Sequence, residues 1–139
     1  MKRVGKSSKK GFTLVELIVV LVILAILAAM LVPALTGYIK RAKQEKDYQA
    51  ASVVYAAAQA AITDAYGHNA TITSPLTQTT RTYGPEVYDL AGVDSAVVTG
   101  FSFAFGDDMI IDSGNVTIKN GSTSYTYYLH TDGTWHMRP

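Results

Sequence analysis

Residues 11–35 read GFTLVELIVVLVILAILAAMLVPAL, and this stretch decides how the rest of the chain is built. From Leu17 to Leu35 it holds 19 consecutive apolar residues. At the helical rise this is a span of roughly 28 Å, close to the thickness of a bilayer core. A secretory signal peptide would be shorter and end at a small-residue cleavage site, whereas this run passes directly into helix-forming sequence. One residue breaks its apolar character. Glu16 sits at its start, although an ionisable side chain in the middle of a membrane helix is unfavourable by roughly 2.5 to 3.5 kcal/mol, and somewhat less near an end. A carboxylate kept at that cost has a task.

Working outward, the residues before the run are basic: Lys2, Arg3, Lys6, Lys9 and Lys10 are 5 of the 12 Lys and Arg residues in the chain. The formal net charge of +1 conceals this asymmetry, since from residue 12 onward 7 basic residues face 11 acidic ones. Lys40, Arg41, Lys43 and Lys46 follow the run and nearly match the leading charges, so the positive-inside rule alone does not orient it. The net-acidic remainder fits better outside. There is no cysteine, which excludes disulfides and thiolate metal sites. With 139 residues, part of them in the apolar run, the independent core is small and a large enzyme fold is excluded.

Residues 38–66, YIKRAKQEKDYQAASVVYAAAQAAITDAY, are rich in good helix formers, with no glycine or proline before Gly67, the expected stop. Ala51, Val54, Tyr55, Ala58, Ile62, Ala65 and Tyr66 recur every three or four residues as a stripe for packing on a sheet. Helix is therefore expected from about Thr13 to Tyr66, softened at Pro33 and Gly37. Residues 67–84 are threonine-rich and unperiodic, a surface loop, and 85–92 suggest a short helix begun by Pro85 and ended by Gly92. Strand signals follow. Phe101, Phe103 and Phe105 alternate to one face, Met109–Ile111 reads as a short return strand, and segments 116–119, 124–130 and 134–137 complete an antiparallel meander. Asn120-Gly121 and Asp132-Gly133 supply its hairpin turns. The fold class is α+β: a long N-terminal helix packed on a small antiparallel sheet, ladle-like.

The basic leader MKRVGKSSKKG followed by FTLVELIVVLVILAILAAMLVPAL resembles a class III prepilin leader joined to the N-terminal stem of type IV pilins and pseudopilins. The resemblance implies cleavage by a membrane prepilin peptidase after Gly11 and methylation of the new amino terminus at Phe12. It places the acidic residue of the family's stem at Glu16 and the stem proline at Pro33. It further implies division into a leader 1–11, a transmembrane stem 12–37, an amphipathic continuation 38–66, a loop region with a short helix 67–94, and a head sheet 95–139. The partners it implies are copies of the same chain in a helical homopolymer, the peptidase, and an assembly platform with its ATPase. The precursor would lie in the inner or single cell membrane with its N-terminus cytoplasmic, and the assembled product in an extracellular pilus. Glu16 would pair with the Phe12 amino group of a neighbouring subunit. The rival within the family is a pseudopilin of a type II secretion or competence DNA-uptake system. From another class, the chain could be a signal-anchored binding domain that never polymerises.

Other chemistry is sparse. Asp107, Asp108 and Asp112 are weak candidates for a calcium ion, without the dense acidic loop that binds one tightly. In a two-residue hairpin His130 pairs with Trp135 and Leu129 with His136, which sends the two imidazoles to opposite faces and leaves no shared metal. Tyr125, Tyr127, Tyr128 and Trp135 suggest a binding face or plain strand propensity. Lys40, Arg41, Lys43 and Lys46, interleaved with Glu45 and Asp47, suit headgroups or the acidic heads of other subunits. No P-loop, nucleophile elbow, dinucleotide or zinc motif is present, so no enzymatic activity, cofactor or nucleic-acid partner is expected.

Overall fold

The structure is a computed structural model that describes residues 10–79 and 86–138. Lys2, Arg3, Lys6 and Lys9 of the basic leader, loop residues 80–84 and the expected helix start Pro85 lie outside the described residues. The elements run α1 (Leu14–Gly67), β1 (Leu76–Thr77), α2 (Val87–Ala91), β2 (Val98–Phe105), β3 (Ile111–Asn120), β4 (Thr123–Leu129) and β5 (Trp135–Arg138). The chain forms an α+β arrangement of two compact units, divided between Ala42 and Lys43, and α1 contributes residues to both.

In the first unit, α1 is helical without packing against any described residue outside it. Its apolar side chains, from Leu14 through Ile39, are about half exposed or more, and Leu31 is 66% exposed. Among the described residues this is the one helix long and apolar enough to cross a membrane. Pro33 lies inside it and cannot donate to the Ala29 carbonyl one turn back. Gly37 is not demanded by packing, since a Cβ there would meet nothing within 4 Å.

In the second unit, the other half of α1 lays Ala51, Val54, Ala57, Ala58, Ala61, Ile62 and Ala65 into one core with the sheet. Tyr66, expected on that stripe, is 63% exposed, while Ala57 and Ala61 are buried. Alanines dominate because the large side chains come from the strands: Phe101, Phe103, Phe105, Val116, Ile118 and Tyr127. Tyr55 meets Phe103 edge-on with ring centroids 5.9 Å apart, and Tyr48 meets Tyr127 likewise at 5.3 Å, the arrangement the ring quadrupoles favour. Gly67 is the last helical residue, one beyond the expected end at Tyr66. Asn69 takes the left-handed conformation, φ 53°. The Ala70 amide donates to the Ala65 carbonyl and the Asn69 amide to the Tyr66 carbonyl, closing a Schellman motif.

The sheet has the order β1-β2-β3-β4-β5, and every pair is antiparallel. Three expectations are corrected here. The stretch 67–84 is more than surface loop: Leu76 is fully buried and, with Thr77, adds β1 to the edge of β2. Side chains extend that edge, as Ser74 Oγ accepts from the Phe105 amide and Gln78 Oε1 from the Phe101 amide. Met109–Ile111 and 116–119 are likewise not separate strands; β3 runs unbroken through Asp112-Ser113-Gly114-Asn115. Polar residues and a glycine read as a break in the sequence, but pairing with β2 satisfies their backbone groups. Gly114 faces Phe103, and a Cβ on it would strike the Phe103 ring and lie 2.6 Å from the Ser102 carbonyl oxygen. Gln59 of α1 holds the β2–β3 connection, donating to the Met109 carbonyl and accepting from the Ile111 amide. The β3–β4 turn is Gly121-Ser122 rather than Asn120-Gly121, because Asn120 pairs with Thr123. Gly121 alone takes positive φ, 65°, as a type II′ turn requires at its first central residue.

Asp47, grouped by sequence with the solvated charges, is instead buried at 5% exposure. Its Oδ2 accepts hydrogen bonds from the Tyr127 hydroxyl at 2.7 Å and the Asn120 Nδ2 at 2.6 Å, tying α1 to the β3–β4 hairpin. Burial first, then the Asp47 hydrogen bond and charge, push the Tyr127 hydroxyl well above its ordinary value. A folded-state pKa raised in this way adds stability that is complete below the unfolded value of about 10 and is lost as pH rises beyond it. Thermal unfolding followed by circular dichroism should therefore show stability falling above about pH 10, with a shallower fall in Tyr127→Phe. Asp47→Ala leaves the Tyr127 hydroxyl without its acceptor and should cost about 1–3 kcal/mol at neutral pH. Gly114→Ala should cost about 1–3 kcal/mol by overpacking; unchanged stability would show that the Phe103 ring and the Ser102 backbone both give way freely.

Candidate functional site

The site begins where α1 begins. Thr13 precedes the first helical residue, and Glu16 stands three residues later. The Thr13 amide donates to Glu16 Oε2 at 2.8 Å, and the Glu16 amide donates to Thr13 Oγ1 at 3.3 Å. This reciprocal capping box satisfies two of the amides that a helix start leaves without partners. It also places a negative charge at the positive end of the helix dipole. The T-x-x-E spacing was visible in Thr13-Leu14-Val15-Glu16, yet the sequence reading gave Glu16 a pairing role alone.

Around the box the surface is apolar and open. Phe12 is 84% exposed, and Gly11 and Glu16 are exposed. A concavity of about 640 Å³ is lined by Phe12, Val15, Glu16, Leu17, Val19 and Val20. The carboxylate is thus held by its own first turn and bordered by side chains that have no partners among the described residues. Gly11 and Phe12 precede the helix, so the peptide bond between them is not locked into its hydrogen-bond ladder. Pro33 and Gly37 lie several turns further along α1.

The remaining sequence candidates scatter. Asp108 Oδ1 accepts from the Ile110 amide at 3.2 Å and Asp112 Oδ1 from the Ser113 hydroxyl at 2.9 Å, both local turn and strand contacts. With Asp107 they line a groove of about 900 Å³ that Tyr55, His130 and Trp135 also border. Among the described residues, no three His, Cys, Asp or Glu side chains are grouped so that they could hold a metal ion. Tyr125, Tyr127, Tyr128 and Trp135 do not share a face. Tyr127 is in the core with Tyr125 and Trp135 packed beside it, while Tyr128 lies under the Arg138 guanidinium, 5.3 Å from its ring centre. Lys40, Arg41, Lys43 and Lys46 are exposed.

The histidine expectation is reversed. Leu129 pairs with Trp135 and Tyr128 with His136, so the β4–β5 turn is the three-residue Thr131-Asp132-Gly133 rather than a two-residue one. The Gly133 amide donates to the His130 carbonyl, Gly133 takes φ 82°, and Asp132 Oδ1 accepts from the Thr134 amide and hydroxyl. These are the marks of a type I turn closed by a left-handed residue. One extra loop residue slips the register by one and moves every side chain of β5 to the other face. His130 and His136 therefore lie together, ring centroids 4.3 Å apart and nearly perpendicular.

Comparison with known proteins bears on the first segment. Residues 6–32 match a family model described as the prokaryotic N-terminal methylation motif. No curated protein matches the chain, and no solved structure does. The match begins at Lys6, within the basic leader, and spans Gly11, Phe12, the capping box and most of the apolar run. Residues 6–32 of this chain carry a prokaryotic N-terminal methylation motif, the leader pattern typical of type IV pilins and pseudopilins.

Proposed function

We propose that this chain is the major or an abundant structural subunit of a type IV pilus, cut after Gly11, methylated at Phe12 and assembled from the membrane through its stem. The observation that carries this reading is Glu16: a carboxylate at the head of an apolar helical stretch whose membrane-length window buries nothing. Before cleavage the Phe12 nitrogen is an uncharged amide. Cleavage turns it into a cationic amine one residue ahead of the capping box. In a bundle of stems Glu16 enters an apolar interior, where an unpaired charge is very costly and an amine from an adjacent copy offsets that cost. Oε2 is held by the Thr13 amide, and Oε1, which no described residue engages, would receive the amine. The pair then selects the register of each incoming subunit.

The stem's surroundings support the same reading. The 13 Leu, Ile and Val residues between Leu17 and Leu35 are each worth roughly 0.3 to 0.6 kcal/mol in the bilayer. Withdrawal therefore costs on the order of 4 to 8 kcal/mol before new contacts form. Other stems return that energy because they are as apolar as lipid, and Ala25, Ala28, Ala29 and Ala34 allow close approach. Extraction needs work from outside the chain, which an ATPase acting through a membrane platform would supply. The acidic second unit would coat the filament. Pro33 and Gly37 would let the stem loosen as it packs. The chain would serve as scaffold, without catalysis.

Two substitutions separate capping from pairing. Glu16→Gln keeps the capping-box hydrogen bond and loses the charge; Glu16→Ala loses both. Both should leave a membrane-inserted monomer and cut incorporation into sheared fibres by roughly a hundredfold or more, the effect of removing one partner of a buried ion pair. Normal fibres from Glu16→Gln would overturn the pairing. N-terminal sequencing of wild-type fibres should begin at a methylated Phe12. An intact leader on monomers that never polymerise would favour a signal-anchored binding domain, and short fibres found only with a secretion or uptake apparatus would favour a pseudopilin.

A further inference from the structure

The β4–β5 hairpin carries two exposed imidazoles in contact on the face of the sheet opposite the core, and the proposed pilus subunit makes no use of them. Tyr127, Leu129, Trp135 and Met137 face the core, so alternation puts Tyr128, His130, His136 and Arg138 on the other side. His130 and His136 are diagonal neighbours across the ladder, on adjacent strands whose turn is fixed by the two hydrogen bonds to Asp132 Oδ1 and by Gly133. We propose that His130 and His136 form a two-imidazole chelate for a borderline divalent transition metal, of the class Cu²⁺, Ni²⁺ or Zn²⁺.

The geometry carries the assignment. Imidazole nitrogens bind such ions at about 2.0–2.1 Å, which sets the ring centroids of a chelated pair about 4.5 Å apart at a right angle and about 5.2 Å apart at the tetrahedral angle. The rings here stand at 4.3 Å. Turning them so that one nitrogen of each converges parts them by less than about 1 Å, with the strand backbones in place. Imidazole is a donor suited to copper, nickel and zinc and poorly suited to magnesium or calcium, which prefer oxygen. Two donors leave the other coordination positions to water. Arg138 brings a positive charge to this face but is turned over the Tyr128 ring. The carboxylates Asp107, Asp108 and Asp112, the oxygen donors most suited to calcium, border the same groove as His130, but among the described residues none is grouped with the two imidazoles as a third ligand.

The chelate is tested on the full chain in detergent micelles, titrated with CuCl₂, NiCl₂ or ZnCl₂ while thermal unfolding is recorded. One ion per chain should raise the unfolding temperature, most strongly for Cu²⁺, with MgCl₂ and CaCl₂ inactive and EDTA reversing the effect. His130→Gln and His136→Gln should each weaken binding by roughly a hundredfold, because the second imidazole acts at high effective concentration. Both positions are exposed, so circular dichroism should show each variant folded. Independent binding by single imidazoles would instead lower the stoichiometry and leave the affinity unchanged, which overturns the chelate. Undiminished binding in the double variant would also overturn it and point to His68 or the groove aspartates. Loss of fibre assembly in either variant is not expected, so this test stands apart from that of Glu16.

Discussion

An apolar helix surface with nothing among the described residues to cover it is the constraint on which the rest depends. Hydrophobic side chains from Leu14 to Ile39 are about half exposed or more, and no residue of the membrane-length window is buried. Water is an unfavourable home for such a surface, since each apolar side chain left exposed forfeits burial worth roughly 1.5–3 kcal/mol. Lipid is one remedy and a bundle of identical stems is another. Both accept an α-helix because it satisfies its own backbone hydrogen bonds. Glu16 distinguishes them: at a lipid headgroup surface its charge is hydrated, whereas inside a bundle it needs a cation. The capping box with Thr13 holds that carboxylate at the first turn in advance of either environment.

The second unit solves the opposite problem with little material. Its core is thin, built from alanines on α1 against phenylalanines, branched aliphatics and one tyrosine on the strands. Without cysteine, polar contacts supply the ties that covalent bonds might have supplied. Asp47 fastens α1 to the β3–β4 hairpin, Gln59 fastens it to the β2–β3 connection, and Gln78 and Ser74 extend the edge of β2. Gly114 lets Phe103 sit directly over β3. These contacts are long-range, so they set which strand lies against which part of the helix.

Much of this was legible in advance, and the misreadings have physical reasons. The alternation of Phe101, Phe103 and Phe105 located β2 because a period of two is a local property. Leu76 escaped notice because an edge strand of two residues has no period to show. Asp112-Ser113-Gly114-Asn115 looked like a break, since nothing local reveals that Phe103 needs a glycine opposite it. Asp47 lies four residues before Ala51 on the buried stripe, a signal that could have marked it as a buried carboxylate. The sequence does not say which strand residues would answer it. His130 and His136 were assigned to opposite faces through one miscounted loop residue, and in a sheet an error of one is an error of side.

By itself the sequence determined the leader, the membrane-length stem, the acid at its head and the succession of helix before sheet. These follow from composition, from periodicity and from residues adjacent along the chain, including the capping box. Tertiary structure alone decided the burial of Asp47, the pairing of β1 to β2, the unbroken β3 and the meeting of two imidazoles. Each of those depends on a partner at least several residues distant, and pairing register and side-chain contact are settled only when the whole sheet closes on the helix.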